Sequence, residues 1–134
     1  MKKQIKEAKN ALLQSIISGI EEVKGNEIVV MDLSWLPGAI CDNFVICHGN
    51  SNTQVEAIAN KVREFTEKDL NERPWRTEGY GNANWIILDY FNIVVHVFYK
   101  ETRTFYDIED LWADADITVI GEEGVEEGLK KANR

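Results

Sequence analysis

The stretch Asn84–Lys100, NWIILDYFNIVVHVFYK, constrains this chain more than any other. It reads as two apolar strands around a turn, and strand side chains alternate between two faces. Trp85, Ile87 and Asp89 share one face of the first strand, and Ile86 and Leu88 share the other. In the second strand Val94, His96 and Phe98 fall on one side, and Ile93, Val95 and Val97 on the other. A turn centred on Phe91-Asn92 pairs Leu88 with Val95, Ile86 with Val97, Trp85 with Phe98 and Ile87 with His96. One face is then wholly aliphatic and belongs against helices. The other mixes Trp, Ile, Asp, Val, His and Phe. Buried polar groups without partners cost a few kcal/mol each, so Asp89 and His96 belong on the mixed face. If that face is open to water it is an apolar patch with polar punctuation, the composition of a binding surface. A third helix, the C-terminal segment or a second copy of the chain would cover it otherwise. Phe91 is a poor residue for the positive φ that a two-residue turn needs.

The rest of the chain supplies what packs on the hairpin. Residues 4–24 carry Ile5, Ala8, Leu12, Ile16, Ile20 and Val23 at helical spacing, with Leu13 and Ile17 widening the stripe. Gly25 is the expected residue just past its end. Strands are expected over 27–33 and 43–49, separated by a loop with a Pro37-Gly38 turn. Residues 51–70 form a second helix, with Ser51 and Gln54 as a capping box and Val55, Ile58, Val62 and Phe65 as its stripe. A short strand is expected over 76–79, and a short helix over 102–112 with Phe105, Ile108 and Leu111 inward. The order α-β-β-α-β-β-β-α implies an α/β domain with a central mixed sheet of about five strands flanked by helices. The acidic segment from 116, with Gly121, Gly124 and Gly128, is expected to be mobile and to lie outside the domain of residues 1–115.

The 134 residues carry a net charge of −8, which argues against phosphate clamping and favours solubility or a basic partner. Cys41 and Cys47 are too few for a disulfide framework. There is no apolar run of membrane-spanning length and no signal-peptide h-region, so a reducing cytoplasm and no membrane are expected.

Catalytic and cofactor signals are weak, and no catalytic, cofactor or metal residue is assigned. Cys47 and His48 are adjacent on a strand, so their side chains diverge. Cys41, Cys47, His48 and His96 lack zinc spacing. The GNSN run at 49–52 fits helix capping better than anion binding. Asp42, Asp89, Asp107 and Asp110 show no pairing suited to metal-dependent nucleotide transfer, and Asp114 with Asp116 reads as a solvated charge run. Charges in the 102–112 helix, Arg103 among them, read as a solvated face. Tyr106 and Trp112 read as plain packing.

Several motifs occur jointly. They are D-x-x-V-I-C-x-G-x-S at 42–51, E-G at 78–79, A-x-W-x-x-x-D-Y at 83–90, V-V-H-V-F at 94–98, and R-x-F-Y-x-I-E-x-L-W from Arg103. Over residues 5–115 the chain resembles the ribosomal silencing factor family, also called RsfS or Iojap. The resemblance implies a fold distantly similar to nucleotidyltransferases without their catalytic carboxylates, and a binding protein that is not an enzyme. It implies docking on the large ribosomal subunit through large-subunit protein fourteen, where it blocks joining of the small subunit and represses translation. Little or no direct nucleic-acid binding is expected. Trp85 matches a family position at the ribosomal-protein contact. Glu78, Ile87, Asp89, Tyr90, Val94, His96 and Phe98 complete the expected partner surface. The family usually has Gly-Asp at the hairpin tip, where this chain has Phe91-Asn92. A nucleotidyltransferase-type enzyme, a large-subunit assembly factor and a homodimer sealing its own sheet faces are the alternatives.

Overall fold

The computed structural model describes residues 2–111, 116–121 and 126–130, with side chains described for 10–110 and 116–121. The elements are α1 (Lys2–Glu22), β1 (Asn26–Asp32), β2 (Asn43–Gly49), α2 (Asn52–Leu70), β3 (Arg76–Glu78), β4 (Trp85–Asp89), β5 (Ile93–Tyr99), α3 (Lys100–Tyr106), α4 (Ile108–Leu111), β6 (Asp116–Ile120) and β7 (Glu126–Lys130). One mixed sheet runs in the order β3-β4-β5-β2-β1-β6-β7. Among the described residues only β2 and β5 pair in parallel; the other pairs are antiparallel. The five expected strands and both long helices are present. Two further strands, β6 and β7, extend the β1 edge from within the segment expected to be mobile. Trp112 and Asp114 lie outside the described residues.

Two apolar clusters sit on opposite sides of the sheet. The first lies under α1 and α2 and joins Leu12, Ile16, Ile20, Val55, Ile58 and Val62 to Val45, Ile86, Leu88, Ile93, Val95 and Val97. It is the aliphatic face of the hairpin, and the observed pairs Trp85–Phe98, Ile86–Val97, Ile87–His96 and Leu88–Val95 are those that alternation requires. The second cluster joins Val29, Met31, Leu33, Cys41, Phe44, Ile46, Val94, Phe98 and Ile108. The loop between β1 and β2 supplies its Leu33 and Cys41, and α4 supplies Ile108.

The end of α1 differs from expectation in an instructive way. The Lys24 N–H bonds to the Glu21 carbonyl at 3.0 Å and the Gly25 N–H to the Ile20 carbonyl at 2.9 Å. This is a Schellman cap, and its left-handed residue is Lys24 at φ 59°, not Gly25. Gly25 is needed for space, since a Cβ there would lie 2.4 Å from Ile20 Cγ2. Lys24→Gly is therefore expected to stabilise the protein by about 0.5–1 kcal/mol. A rise of roughly 2–4 °C in thermal midpoint is the readout, and an unchanged or lower midpoint rejects it.

Candidate partner-binding surface

Trp85 sits where β4 meets the covering helices. Gly79 permits the approach. At φ 94° it adopts a backbone that other residues resist, and a Cβ there would lie 1.9 Å from the Trp85 carbonyl oxygen. Asn52 of α2 pins the intervening loop, donating through Nδ2 to the Asn82 and Ala83 carbonyls at 3.2 and 3.1 Å and to Asn84 Oδ1 at 2.9 Å. The indole is half-buried. It stacks on Phe98 at 4.9 Å and 30° and meets Tyr106 at 4.9 Å and 47°.

The imidazole inside the hairpin has a definite task. Trp85 Nε1–H donates to His96 Nδ1 at 3.1 Å. An indole nitrogen can only donate, so Nδ1 carries no proton and the ring is neutral, protonated on Nε2. Nε2 is buried and has no hydrogen-bond partner among the described residues; the ring meets Phe44 edge-on at 4.5 Å and 72°. Burial pushes the His96 pKa down to about 4, against a smaller upward pull from the Asp89 carboxylate. Asp89 has a different task. Its Oδ1 accepts the Phe91 N–H at 2.9 Å and so holds the turn.

The mixed face is therefore only partly open, which corrects the sequence reading. Phe98 is 0% exposed, His96 6% and Val94 8%. Tyr90, also expected at the partner surface, belongs to the first cluster. Its hydroxyl shares a 2.9 Å hydrogen bond with Thr66 Oγ1, and burial raises its pKa to about 12. The loop between β1 and β2, together with α3 and α4, lies over the half of the face nearer β2. The half nearer β3 stays accessible, with Trp85, Ile87 and Asp89 half-buried and Arg76 and Glu78 exposed.

A single helix over 102–112 is not formed. Asp107 takes φ 47°, and its N–H closes on the Arg103 carbonyl. That break changes which residues face in. Ile108 is buried, while Phe105 is 79% exposed and Tyr106 52%. The two aromatic rings meet edge-on at 5.1 Å. With Asn82, Asn84, Trp85 and Thr102 they line an open groove of about 650 Å³. Asp107, a residue type that tolerates the left-handed region, was the available signal for the break.

Arg103, read from sequence as part of a solvated helix face, is 7% exposed. It donates to both Glu109 carboxylate oxygens, Nε to Oε1 at 3.0 Å and Nη2 to Oε2 at 2.9 Å. Its Nη1 reaches the Glu27 carbonyl and His48 Nδ1, each at 2.9 Å. Glu27 lies at φ 50° where the β1–β2 register shifts, so the bulge turns its carbonyl toward the guanidinium. His48 must accept here, and burial followed by the Arg103 charge lowers its pKa.

Elsewhere, capping and burial occupy the groups of the GNSN run and the two cysteines. Ser51 Oγ accepts the Gln54 N–H at 3.0 Å and Gln54 Oε1 accepts the Asn50 N–H at 2.8 Å, so capping engages the Asn50 donor and the Ser51 hydroxyl oxygen of GNSN. Burial pushes the Cys41 thiol to about 11 and the Cys47 thiol to about 12, far from thiolate reactivity. Among the described residues no group of three or more His, Cys, Asp or Glu could hold a metal ion, and no helix is long and apolar enough to cross a membrane.

The model of the family described as ribosomal silencing factor during starvation matches residues 6–134. Ribosomal silencing factor RsfS of Halalkalibacterium halodurans is 38% identical over 104 residues, 78% of this chain and 87% of that protein. The protein of the same name from Bacillus subtilis is 32% identical over 107 residues, 80% of this chain and 89% of that one. A crystal structure of a Chromobacterium violaceum protein superposes with a TM-score of 0.72 at 31% identity, covering 77% of this chain and 84% of the other. The match spans the motifs that build the Trp85 surface and the strands that carry it, and on that ground the chain belongs to the ribosomal silencing factor family.

Proposed function

We propose that this protein acts in the cytoplasm as a non-catalytic ribosomal silencing factor. It docks on the large ribosomal subunit through large-subunit protein fourteen, blocks joining of the small subunit and so represses translation. The observation that carries this reading is the Trp85 indole. It is held by His96, Phe98 and Tyr106, yet part of it stays accessible beside the open strip of Ile87, Asp89, Arg76 and Glu78. A rigid aromatic at the centre of a polar rim is the composition of an interface hot spot. Its orientation is already fixed, so docking loses little side-chain entropy. The net charge of −8 steers the protein toward a basic partner and speeds encounter.

The test is sedimentation of purified small and large subunits through sucrose gradients with increasing amounts of this protein. The joined-ribosome peak is expected to fall, with the protein co-migrating with free large subunits. Trp85→Glu is expected to bind at least about 30-fold more weakly, the equivalent of a 2 kcal/mol hot spot. Its circular dichroism spectrum should stay native. Undiminished subunit joining at saturating protein sinks the proposal.

A further inference from the structure

At the far end of β4 from Trp85 lies a second aromatic feature. Trp75 and Phe91 stack at 4.9 Å with their planes 9° apart. Both stay wet, at 55% and 65% exposure. Phe91 is also strained. It sits at φ 73°, with the Asn92 N–H closing back on the Tyr90 carbonyl at 2.9 Å. A bulky residue is strained in that region, and glycine is not. Strain and exposure both work against the free protein, and neither buried cluster includes this ring.

The surroundings say what the stack can receive. The Arg76 guanidinium lies 5.4 Å from the Trp75 ring centroid. Its Nη1 is 3.2 Å from Glu78 and its Nη2 is 3.8 Å from Asp89. An arginine of this chain thus already rests between an aromatic face and two carboxylates. One positive and two negative charges leave the spot net negative, which disfavours phosphate and favours a further cation. The spot is continuous with the proposed docking strip, because Asp89 both closes the Phe91 turn and shares a face with Ile87 and Trp85. From Trp85 to Asp89 is about 13 Å of strand, within the span of an ordinary protein interface.

We infer that the Trp75–Phe91 stack is a second anchor of the docking surface, seating an arginine or lysine side chain of the same basic ribosomal partner. This inference rests on the proposed function and adds a contact supplied by a residue pair at the hairpin tip.

The test compares affinities of the full chain for purified large subunits. Phe91→Gly relieves the turn and removes the aromatic face. It is expected to bind about tenfold more weakly while melting at an equal or higher temperature. Phe91→Leu keeps apolar area without a π face and is expected to lose about threefold. Binding of Phe91→Gly within twofold of wild type overturns the inference. So does a loss of self-association in sedimentation velocity with subunit affinity unchanged, which would assign the stack to a second copy of the chain. If Trp85→Glu abolishes binding while Phe91→Gly does not weaken it, only the second anchor fails. If the wild-type chain does not bind large subunits, the underlying reading falls and this anchor with it.

Discussion

Arg103→Met is expected to destabilise the protein by about 2–4 kcal/mol, because it unpairs a part-buried carboxylate and strands two inward-facing acceptors. The substitution keeps roughly the stem volume but removes all five donors. Glu109 loses its bidentate partner, and the Glu27 carbonyl and His48 Nδ1 lose donors that lie 2.9 Å away. The effect reaches the docking surface because Arg103 belongs to α3, and α3 carries the Tyr106 ring that braces Trp85. Arg103→Lys keeps the charge but cannot reproduce the fork, so an intermediate loss is expected. Urea denaturation measures both, and hydrogen exchange should show the amides of α3 and α4 losing protection first. A loss below about 1 kcal/mol for Arg103→Met would mean that the network is not what holds these helices on the sheet.

Acid is the second lever. The His96 pKa falls from 6.5 to about 4 on folding. As pH drops, the unfolded chain takes up this proton before the folded one does, so protons favour unfolding. The contribution of His96 is intact above about pH 7. It declines as pH falls through 6.5 and is exhausted below about 4. The loss is about 2 kcal/mol at pH 5 and about 3 kcal/mol in full. The Asp89 charge opposes it, and His48, whose pKa is also lowered, adds in the same direction. His96→Gln has no titrating ring, so the difference between wild type and variant in urea stability should shrink from pH 7.5 to pH 5. Parallel stability curves for the two proteins would show that His96 is not buried neutral. Protonation also competes for Nδ1, which holds the Trp85 indole. Trp85 fluorescence of the folded protein should therefore change as pH falls through about 4, the folded-state value of His96.

Much of the architecture was legible in the chain. Period-two alternation over 84–100 determined both the pairing register and which face meets α1 and α2, because strand geometry admits one answer once an aliphatic face exists. Helical spacing and the Ser51 cap determined α1 and α2 to within a few residues. The joint motifs were enough to indicate the family.

The second face was not legible. Whether Phe98, His96 and Val94 stay wet depends on a loop and two short helices with no periodic pattern long enough to read. The left-handed Asp107 then turns Phe105 outward and Ile108 inward, the reverse of what one continuous helix gives for Phe105. Arg103 followed the same rule. On sequence it was one charge among several; beside nearby Glu109, its burial rests on the bulge carbonyl at Glu27 and the imidazole of His48, 76 and 55 residues away in the chain. Local spacing decides what neighbouring residues do. Burial of a charge or exposure of an aromatic is decided by what distant segments bring to it, and here only the tertiary structure supplied those partners.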